Sequence, residues 1–265
     1  MSGLLRLERT GAAGRVARVT LARPEVRNAF NAELIDELHR TFEALSAEPA
    51  DALRAVVLAG DGEAFCAGAD VEWQRRAMGL GFEENKADAG RLQAMLRAID
   101  ESPAPVVARV HGAALGGGMG LCAVADVVLA TSATRFGFTE TKLGILPAII
   151  SPFVLARIGE GHARALFLTG ERIDAERALR VGLVHELAAD DAALDGSVER
   201  VLGELLSAGP NAVREAKALI RARRSNRPDD FASQALEVAA RQRVSPEGQE
   251  GLGAFLEKRA PSWRG

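Results

Sequence analysis

The chain has 265 residues, and 48% of them are hydrophobic, so it is long enough to bury a substantial core. Its formal charge is −3, from 33 basic and 36 acidic residues, and no basic block indicates a nucleic-acid surface or an anionic membrane surface. These properties favour one large domain with a smaller appendage, and a small molecule as the partner.

The first ten residues, MSGLLRLERT, lack an apolar signal region, and no later stretch has the apolar length of a membrane span. We therefore expect a soluble, cytoplasmic protein. Cys66 and Cys122 lie far apart and form no CxxC pair, so neither a disulfide framework nor a zinc site is favoured. A buried, reduced thiol is expected at each position, with no metal and no resident cofactor.

Near the start, residues 4–8 and 16–21 are typical of short strands, and the glycine-bearing turn 11–14 between them indicates a hairpin. Asn31 is a suitable helix N-cap. After it, apolar residues recur at helical spacing and predict an amphipathic helix, namely at Leu34, Ile35, Leu38, Phe42 and Leu45.

The apolar, branched run 53–59 predicts a buried strand, which the turn 60–62 ends. A loop with small residues at Ala67, Gly68 and Ala69 follows, and its backbone is able to approach a ligand closely. Residues 79–88 are charged and predict a mobile segment. Leu92, Met95, Leu96 and Ile99 then share one face of a helix that Pro103 and Pro105 close.

Three consecutive glycines, Gly116–Gly118, stand between the strand-like run 105–110 and the apolar helix 119–125. The first N–H groups of a helix lack intrahelical acceptors, and the helix dipole favours negative charge there. This junction is therefore a candidate oxyanion site. From the tripeptide alone, a tight turn packed on a neighbouring helix is the stronger reading.

Glu140 is an isolated carboxyl group among Phe136, Phe138, Leu143 and Ile145. Partial burial there raises a carboxyl pKa and suits the group to proton transfer near neutral pH. The alternative is a solvated glutamate at a helix start. Asp126 is the one other carboxylate between the glycines and Pro147, and we interpret it as structural.

The alternation of strands and helices up to residue 129 predicts an α/β protein with parallel pairing and ligands at the carboxyl ends of the strands. Beyond Pro147 the strand signals fade, and five helices are predicted. They cover residues 164–168, 175–181, 192–206, 210–223 and 230–243. Their apolar surface indicates burial against the first domain or another subunit.

Six motifs in order resemble the enoyl-CoA hydratase/isomerase (crotonase) superfamily along nearly the whole chain. They are RPEVRNAFNAELIDEL (23–38), AVVLAGDGEAFCAGADV (55–71), PVVARVHGAALGGG (105–118), FGFTETKLGILP (136–147), LTGERIDAERALRVGLV (168–184) and EGLGAFLEKRAPSW (250–263). One GGG would be a weak signal, whereas this series is highly specific.

The resemblance implies a crotonase-like spiral of ββα units with an α-helical C-terminal region that packs into trimers or dimers of trimers. On this basis we expect a spiral core over residues 1–200 and a helical C-terminal region over residues 201–265. The implied ligand is an acyl-CoA, and coenzyme A would arrive as part of the substrate.

By motif, the resemblance implies that the backbone N–H groups of Ala69 and Gly117 form an oxyanion hole for the thioester oxygen, with Glu140 as the catalytic carboxylate. Such donors contribute a few kcal/mol each in other enzymes. The residues that the resemblance assigns to substrate and CoA binding are Val26, Arg27, Ala67, Ala69, Asp70, Val71, Gly117, Phe255 and Lys258. Phe255 and Lys258, three residues apart, are expected to share one helix face and to reach the CoA of a neighbouring subunit.

The chain departs from the two-glutamate hydratases of the family at Gly120, where they carry their first glutamate. Residues 139–159 resemble the bacterial methylglutaconyl-CoA hydratase branch, which likewise has glycine there. We therefore expect a hydro-lyase that adds water to an enoyl-CoA, with 3-methylglutaconyl-CoA as the candidate substrate and leucine or isoprenoid breakdown as the context. The alternatives are an isomerase or decarboxylase of the same fold and a non-catalytic homologue. A serine hydrolase ranks low because GxSxG is absent.

Overall fold

The computed structural model describes residues 3–224 and 226–264. Its strands are β1 (Leu5–Thr10), β2 (Val16–Leu21), β3 (Ala55–Gly60), β4 (Val106–Val110), β5 (Ala113–Leu115), β6 (Val127–Thr131), β7 (Arg135–Gly137), β8 (Arg172–Asp174) and β9 (Glu186–Ala188). Its helices are α1 (Ala32–Ser46), α2 (Val71–Ala77), α3 (Phe82–Glu101), α4 (Gly117–Val124), α5 (Ser151–Thr169), α6 (Ala175–Arg180), α7 (Asp191–Ser207), α8 (Pro210–Ala222), α9 (Pro228–Val244) and α10 (Pro246–Leu256). The predicted α/β class is confirmed.

The strands form two sheets. The larger has the order β1-β2-β3-β4-β6-β9, with β1 and β2 antiparallel and every later pair parallel. In the smaller sheet β5 and β7 run parallel, and β8 is antiparallel to β7. The predicted hairpin and the predicted parallel pairing are therefore confirmed.

Helix α1 forms as its sequence predicts. The side chain of Asn31 caps it by accepting a hydrogen bond from the N–H of Leu34 at 2.9 Å. Its apolar face is fully buried against the sheet and α3. Burial of such a face is the main source of helix stability in a folded domain.

Strand β3 is buried on both faces of the larger sheet. Val56 and Leu58 belong to the main core, which also contains residues of α1, α3, α4 and α5. Ala55 and Val57 point to the other face, into a second apolar cluster with residues of α7. This two-sided burial explains why the run 53–59 is continuously apolar rather than alternating.

Four sequence expectations are corrected. Residues 82–88 form the first turns of α3 instead of a mobile segment, and the carboxylate of Glu84 accepts a hydrogen bond from the N–H of Gly81 at 2.8 Å. The short strands β8 and β9 lie where strand signals faded. Helix α5 begins at Ser151, well before residue 164, and α10 follows α9.

Polar bonds tie the C-terminal helices to the first part of the chain. Arg214 donates to the carbonyls of Glu48 and Leu53, each at 3.0 Å. The ammonium of Lys217 donates to Asp126 at 2.6 Å. Residue 201, where the sequence placed the start of the helical region, lies inside α7.

Large apolar side chains on α8, α9 and α10 stay exposed within one chain, namely Ile220, Leu236, Val244, Leu252, Phe255 and Leu256. Exposed apolar patches of this kind mark interaction surfaces. Burial against another subunit therefore stays a prediction. In the described ranges of the chain, no helix has the length and apolar character needed to cross a bilayer.

Candidate active site

A cavity of about 240 Å³ lies between α2, α3 and the loops that follow β3, β5 and β7. Its lining is mostly apolar or small. Four polar side chains also line it, namely Gln74, Asn85, Asp88 and Glu140. Within the described parts of the chain, no Lys, Arg or His lines this cavity. The site therefore suits an apolar ligand next to a small number of polar groups.

Two backbone loops meet at one end of the cavity. The N–H of Cys66 donates to the carbonyl of Ala113 at 3.1 Å, and the carbonyl of Cys66 accepts from the N–H of Leu115 at 3.0 Å. Gly68 has a φ of +95°, and a Cβ there would lie 3.0 Å from the carbonyl oxygen of Leu115. Only glycine fits this close approach. The loop after β3 and the loop after β5 thus form one unit.

The two predicted oxyanion donors, Ala69 and Gly117, both line the cavity. Gly117 is the first residue of α4, and the helix N-cap, Gly116, has a φ of +48°. Among the residues that the structure describes, none accepts a hydrogen bond from the N–H of Ala69 or of Gly117. Both donors are therefore available to an anionic oxygen of a ligand.

Glu140 begins a short 3-10 turn, Glu140–Leu143, just after β7. The N–H of Gly116 donates to the carbonyl of Gly137 at 2.9 Å, which joins β7 to the glycine turn. As a result the carboxyl group stands beside that turn, and a Cβ on Gly116 would lie 3.4 Å from Glu140 Oε1. The structure brings Glu140 and the two N–H donors to one cavity.

Burial raises the pKa of Glu140, although a hydrogen bond from its own backbone N–H acts in the opposite direction. Its Oε2 atom is buried and has no partner within the described residues. Phe136 and Phe138 are buried beside it as expected, whereas Leu143 and Ile145 are exposed. An incompletely hydrogen-bonded carboxylate of raised pKa is suited to accepting a proton.

The space that a side chain at position 120 would need is filled by a neighbouring side chain. A Cβ on Gly120 would lie 2.6 Å from Cγ2 of Ile150 and 3.4 Å from Cδ2 of Leu96. Ile150 is almost fully buried and lines the cavity. Ile150 and Leu96 therefore fill the space at position 120, and Glu140 is the carboxylate at this end of the cavity.

Asp126 is structural, as interpreted from the sequence. Its Oδ2 accepts hydrogen bonds from the N–H of Val106 at 2.7 Å and from Lys217 at 2.6 Å. It does not line the cavity. Its carboxylate joins the start of β4 to helix α8.

Sequence reasoning missed the polar wall that α2 and α3 contribute. Gln74 and Asn85 use their amide nitrogens to donate to backbone carbonyls, among them Ala69 at 3.4 Å and Leu80 at 3.0 Å. Asp88 is half-buried, and no described residue forms a hydrogen bond or ion pair with its side chain. The helical spacing of Asn85, Asp88 and Leu92 was a signal that would have placed this wall on the cavity.

Five predicted substrate-binding residues do not line the cavity, namely Val26, Arg27, Ala67, Asp70 and Val71. The carbonyl of Arg27 accepts from the N–H of Ala67 at 2.9 Å, which joins the two segments that carry them. Val26 is partly exposed, and Val71, at the start of α2, is mostly exposed. Their role in CoA binding stays a prediction.

Phe255 and Lys258 lie apart from the cavity of their own chain, because no residue of α10 lines it in the described part. The expectation that the two share a helix face is wrong. Helix α10 ends at Leu256, and Lys258 lies beyond it with a φ of +55°. Phe255 is 80% exposed.

His111 holds the loop after β3 and faces away from the cavity. Its Nε2 donates to the carbonyl of Gly62 at 2.8 Å, and its Nδ1 lies 3.4 Å from Arg109.

Arg75 is exposed and pairs with Glu72, and neither Arg75 nor Arg76 lines the cavity.

Both cysteines are free and buried, as predicted. Burial raises the pKa of Cys66 to about 12 and also raises that of Cys122. Such thiols are inert at neutral pH. Across the described residues, no three His, Cys, Asp or Glu side chains gather as a metal site.

The sequence pattern of the enoyl-CoA hydratase/isomerase family matches residues 11–265. A crotonyl-CoA hydratase of Syntrophomonas wolfei is 32% identical over 92% of this chain and 93% of its own length. The crystal structure of an enoyl-CoA hydratase from Shewanella pealeana superposes with a TM-score of 0.91 at 35% identity, over 98% of this chain and 96% of that one. Pseudomonas aeruginosa AtuE gives 0.94 at 39% identity, over 99% and 100%.

Proposed function

Because the chain belongs to the enoyl-CoA hydratase/isomerase family, whose fold and enzymatic character it shares, we propose that it adds water across the α,β double bond of an enoyl-CoA thioester. The observation that carries this proposal is the meeting of Glu140 with the free N–H groups of Ala69 and Gly117 in one apolar cavity. The donors suit a thioester oxygen that becomes an enolate, and the carboxylate suits a water molecule.

In the proposed reaction Glu140 takes a proton from water, and the resulting hydroxide bonds to the β-carbon. The double-bond electrons move towards the thioester oxygen, where Ala69 and Gly117 stabilise the enolate. Protonated Glu140 then gives its proton to the α-carbon, and the carbonyl re-forms. Glu140 is again ionised at the end. One carboxylate thus serves as base and acid, in keeping with the filled space at Gly120.

The experiment that tests the proposal is a panel of enoyl-CoA esters assayed by loss of the conjugated absorption, with the products identified by mass. Hydration adds one water to the product. A lone carboxylate beside an oxyanion hole also fits an isomerase, which moves a proton between carbons and leaves the mass unchanged. Loss of carbon dioxide would identify a decarboxylase.

The acyl group is the finer question. The sequence resemblance points to 3-methylglutaconyl-CoA, whose distal carboxylate would enter the cavity. Among the described residues no Lys or Arg lines that cavity, and Asp88 does. Like charges repel strongly where water is scarce. Within one chain the lining therefore supports an uncharged acyl group.

A matched pair of substrates tests this point. We expect 3-methylpent-2-enoyl-CoA, in which a methyl group replaces the carboxylate, to be hydrated with a kcat/KM at least about tenfold above that of 3-methylglutaconyl-CoA. Asp88→Asn should reduce the ratio between the kcat/KM values of the two substrates. A preference for the dicarboxylic ester would instead support the sequence hypothesis and its context of leucine or isoprenoid breakdown.

Assembly into trimers or dimers of trimers is part of the proposal. The exposed apolar residues of α8, α9 and α10 support it, because a second copy of the chain would cover them. Phe255 and Lys258 would then meet the CoA of a neighbouring subunit. Coenzyme A is the substrate carrier in this scheme, and no further cofactor is needed.

Replacing Lys258 by Ala is expected to raise the KM for acyl-CoA about tenfold and to leave kcat within about twofold, because an ammonium attracts phosphate groups. The difference should shrink at high salt, where exposed charges are screened. Steady-state kinetics at two ionic strengths measure both effects. Identical constants for the variant and the parent at low salt would remove Lys258 from the site.

A further inference from the structure

The residue after Ala69 is unusually well fixed. Asp70 is buried, and its Oδ1 accepts hydrogen bonds from the N–H groups of Glu72 at 2.8 Å and Trp73 at 3.4 Å. Its Oδ2 accepts a bond from Arg23 at 2.8 Å. The carboxylate therefore caps α2 with one oxygen and holds Arg23 with the other.

Arg23 reaches Asp70 across 47 residues of sequence. The side chains of this ion pair are 11% and 10% exposed, and Arg23 also donates to the carbonyl of Ala29. Burial of Asp70 opposes ionisation, yet the hydrogen bonds from Arg23, Glu72 and Trp73 outweigh it and hold the pKa of Asp70 below its ordinary value. The pair is thus ionised, shielded and charge-assisted.

Phe30 fixes the peptide groups on both sides of Ala69. Its N–H donates to the carbonyl of Gly68 at 2.7 Å, and its carbonyl accepts from the N–H of Asp70 at 2.8 Å. In a trans peptide the N–H points opposite to the C=O. The bond to the Gly68 carbonyl therefore turns the N–H of Ala69 away from Phe30.

The segment that carries Arg23 and Phe30 is itself rigid. Asn28 is fully buried with a φ of +57°, and its side chain accepts from the N–H of Arg23 at 2.9 Å. The same side chain donates to the carbonyls of Asp61 and Ala64, each at 2.8 Å. Asparagine tolerates this left-handed conformation, and its three side-chain hydrogen bonds hold it in place. Segment 23–30 is therefore a fixed support for the loop 61–70.

We propose that Arg23 is a positioning residue for the oxyanion hole, because its ion pair with Asp70 fixes the loop that directs the Ala69 N–H. The inference rests on the proposed function, in which Ala69 donates to the thioester oxygen. Arg23 acts through Asp70 and does not line the cavity. Loss of the Arg23 side chain should change the direction of the Ala69 N–H, while the acyl-CoA still binds.

Arg23→Gln should lower kcat about 10- to 100-fold, less than the roughly 10²- to 10³-fold loss on removing an oxyanion donor outright. The KM should change less than threefold, because the enolate forms after binding. Arg23→Lys keeps the charge but not the guanidinium group that donates to both Asp70 and the carbonyl of Ala29. It should therefore recover part of the lost kcat. Asp70→Asn should change kcat and KM in the same way as Arg23→Gln.

A spectroscopic measurement separates positioning from general stability. We would bind para-dimethylaminocinnamoyl-CoA, a chromophoric ester whose absorption moves to longer wavelength when its thioester oxygen is polarised. In Arg23→Gln this shift should be smaller than in the parent at equal saturation. Arg54→Gln is the matched control, because Arg54 is also buried and donates to the carbonyls of Leu205, Leu206 and Ala208, away from the cavity.

The control should lose thermal stability and keep both kcat and the spectral shift. An unchanged shift and an unchanged kcat in Arg23→Gln would overturn the inference. If Arg23→Gln does not fold, the near-isosteric Asp70→Asn carries the same test. A parent protein that neither hydrates any ester nor shifts the absorption would instead overturn the proposed function.

Discussion

Replacing Glu140 by Gln should lower kcat by about 10³- to 10⁴-fold and leave acyl-CoA binding intact. General acid–base catalysis contributes about 10²- to 10⁴-fold, and in the proposed reaction one carboxyl group performs both proton transfers. Gln keeps the shape of the side chain but neither accepts nor releases the proton. Steady-state kinetics and acyl-CoA titration measure the two effects.

The pH dependence of kcat/KM in the parent protein is a second test of the role of Glu140. In the proposed reaction Glu140 acts as a base, so kcat/KM should fall as the pH drops through its pKa, which burial places above the ordinary value of 4.5. In Glu140→Gln this limb should be absent from any residual rate. A profile that is flat down to the ordinary carboxyl range would show that the catalytic base is another group.

Glu140→Gln should raise the free energy of unfolding although it lowers the activity. A raised pKa in the folded chain means that bound protons stabilise it below the ordinary pKa, and this stabilisation is lost as the pH rises through the raised value. Above that raised value the folded chain carries a buried carboxylate whose Oε2 has no partner among the described residues. Gln should raise the free energy of unfolding by about 1 kcal/mol. A lower melting temperature would contradict this reading.

Gly120→Glu, which places a glutamate where the sequence resemblance implies a second one in two-glutamate hydratases, should destabilise the chain and not increase hydration. The added Cβ would lie 2.6 Å from Cγ2 of Ile150, inside the core. Overpacking costs about 1 to 3 kcal/mol, and a buried, unpaired carboxylate adds to that. We expect a loss of at least about 3 kcal/mol in the free energy of unfolding, measured by denaturant titration.

Gly196→Glu is the matched control, because Gly196 lies in α7 and a Cβ there has open space. That variant should be as stable as the parent or slightly more stable, since glycine disfavours a helix interior by about 1 kcal/mol. The double variant Gly120→Glu with Ile150→Ala should regain part of the lost stability. If Gly120→Glu folds as well as Gly196→Glu, Ile150 does not block the position.

Local sequence patterns were sufficient for elements with strong periodicity and caps. The Asn31 cap and the apolar face of α1 lie within one stretch, so both were predicted and found. The strands β8 and β9 have only three residues each, too short for a pattern to show. The first turns of α3 carry charges on several sides, so they predicted mobility although the segment is helical.

Local features drew attention to residues of the candidate site, the resemblance of their motifs assigned their roles, and neither predicted their environment. The glycine turn and the isolated Glu140 stand out in sequence, and the structure places both on the cavity. By contrast, Ile150 lies 30 residues from Gly120, and Arg23 lies 47 residues from Asp70. Contacts at such separations depend on the tertiary fold, and nothing in the spacing of the residues reveals them.

The packing of Ile150 against Gly120 has an evolutionary consequence. A glutamate at position 120 meets a bulky neighbour, and a small residue at position 150 leaves a void in the chain as it stands. Each single replacement passes through a less stable protein, so a lineage that gains or loses the second glutamate must change both positions together. Among relatives, residue size at position 150 should therefore covary with the presence of a carboxylate at position 120.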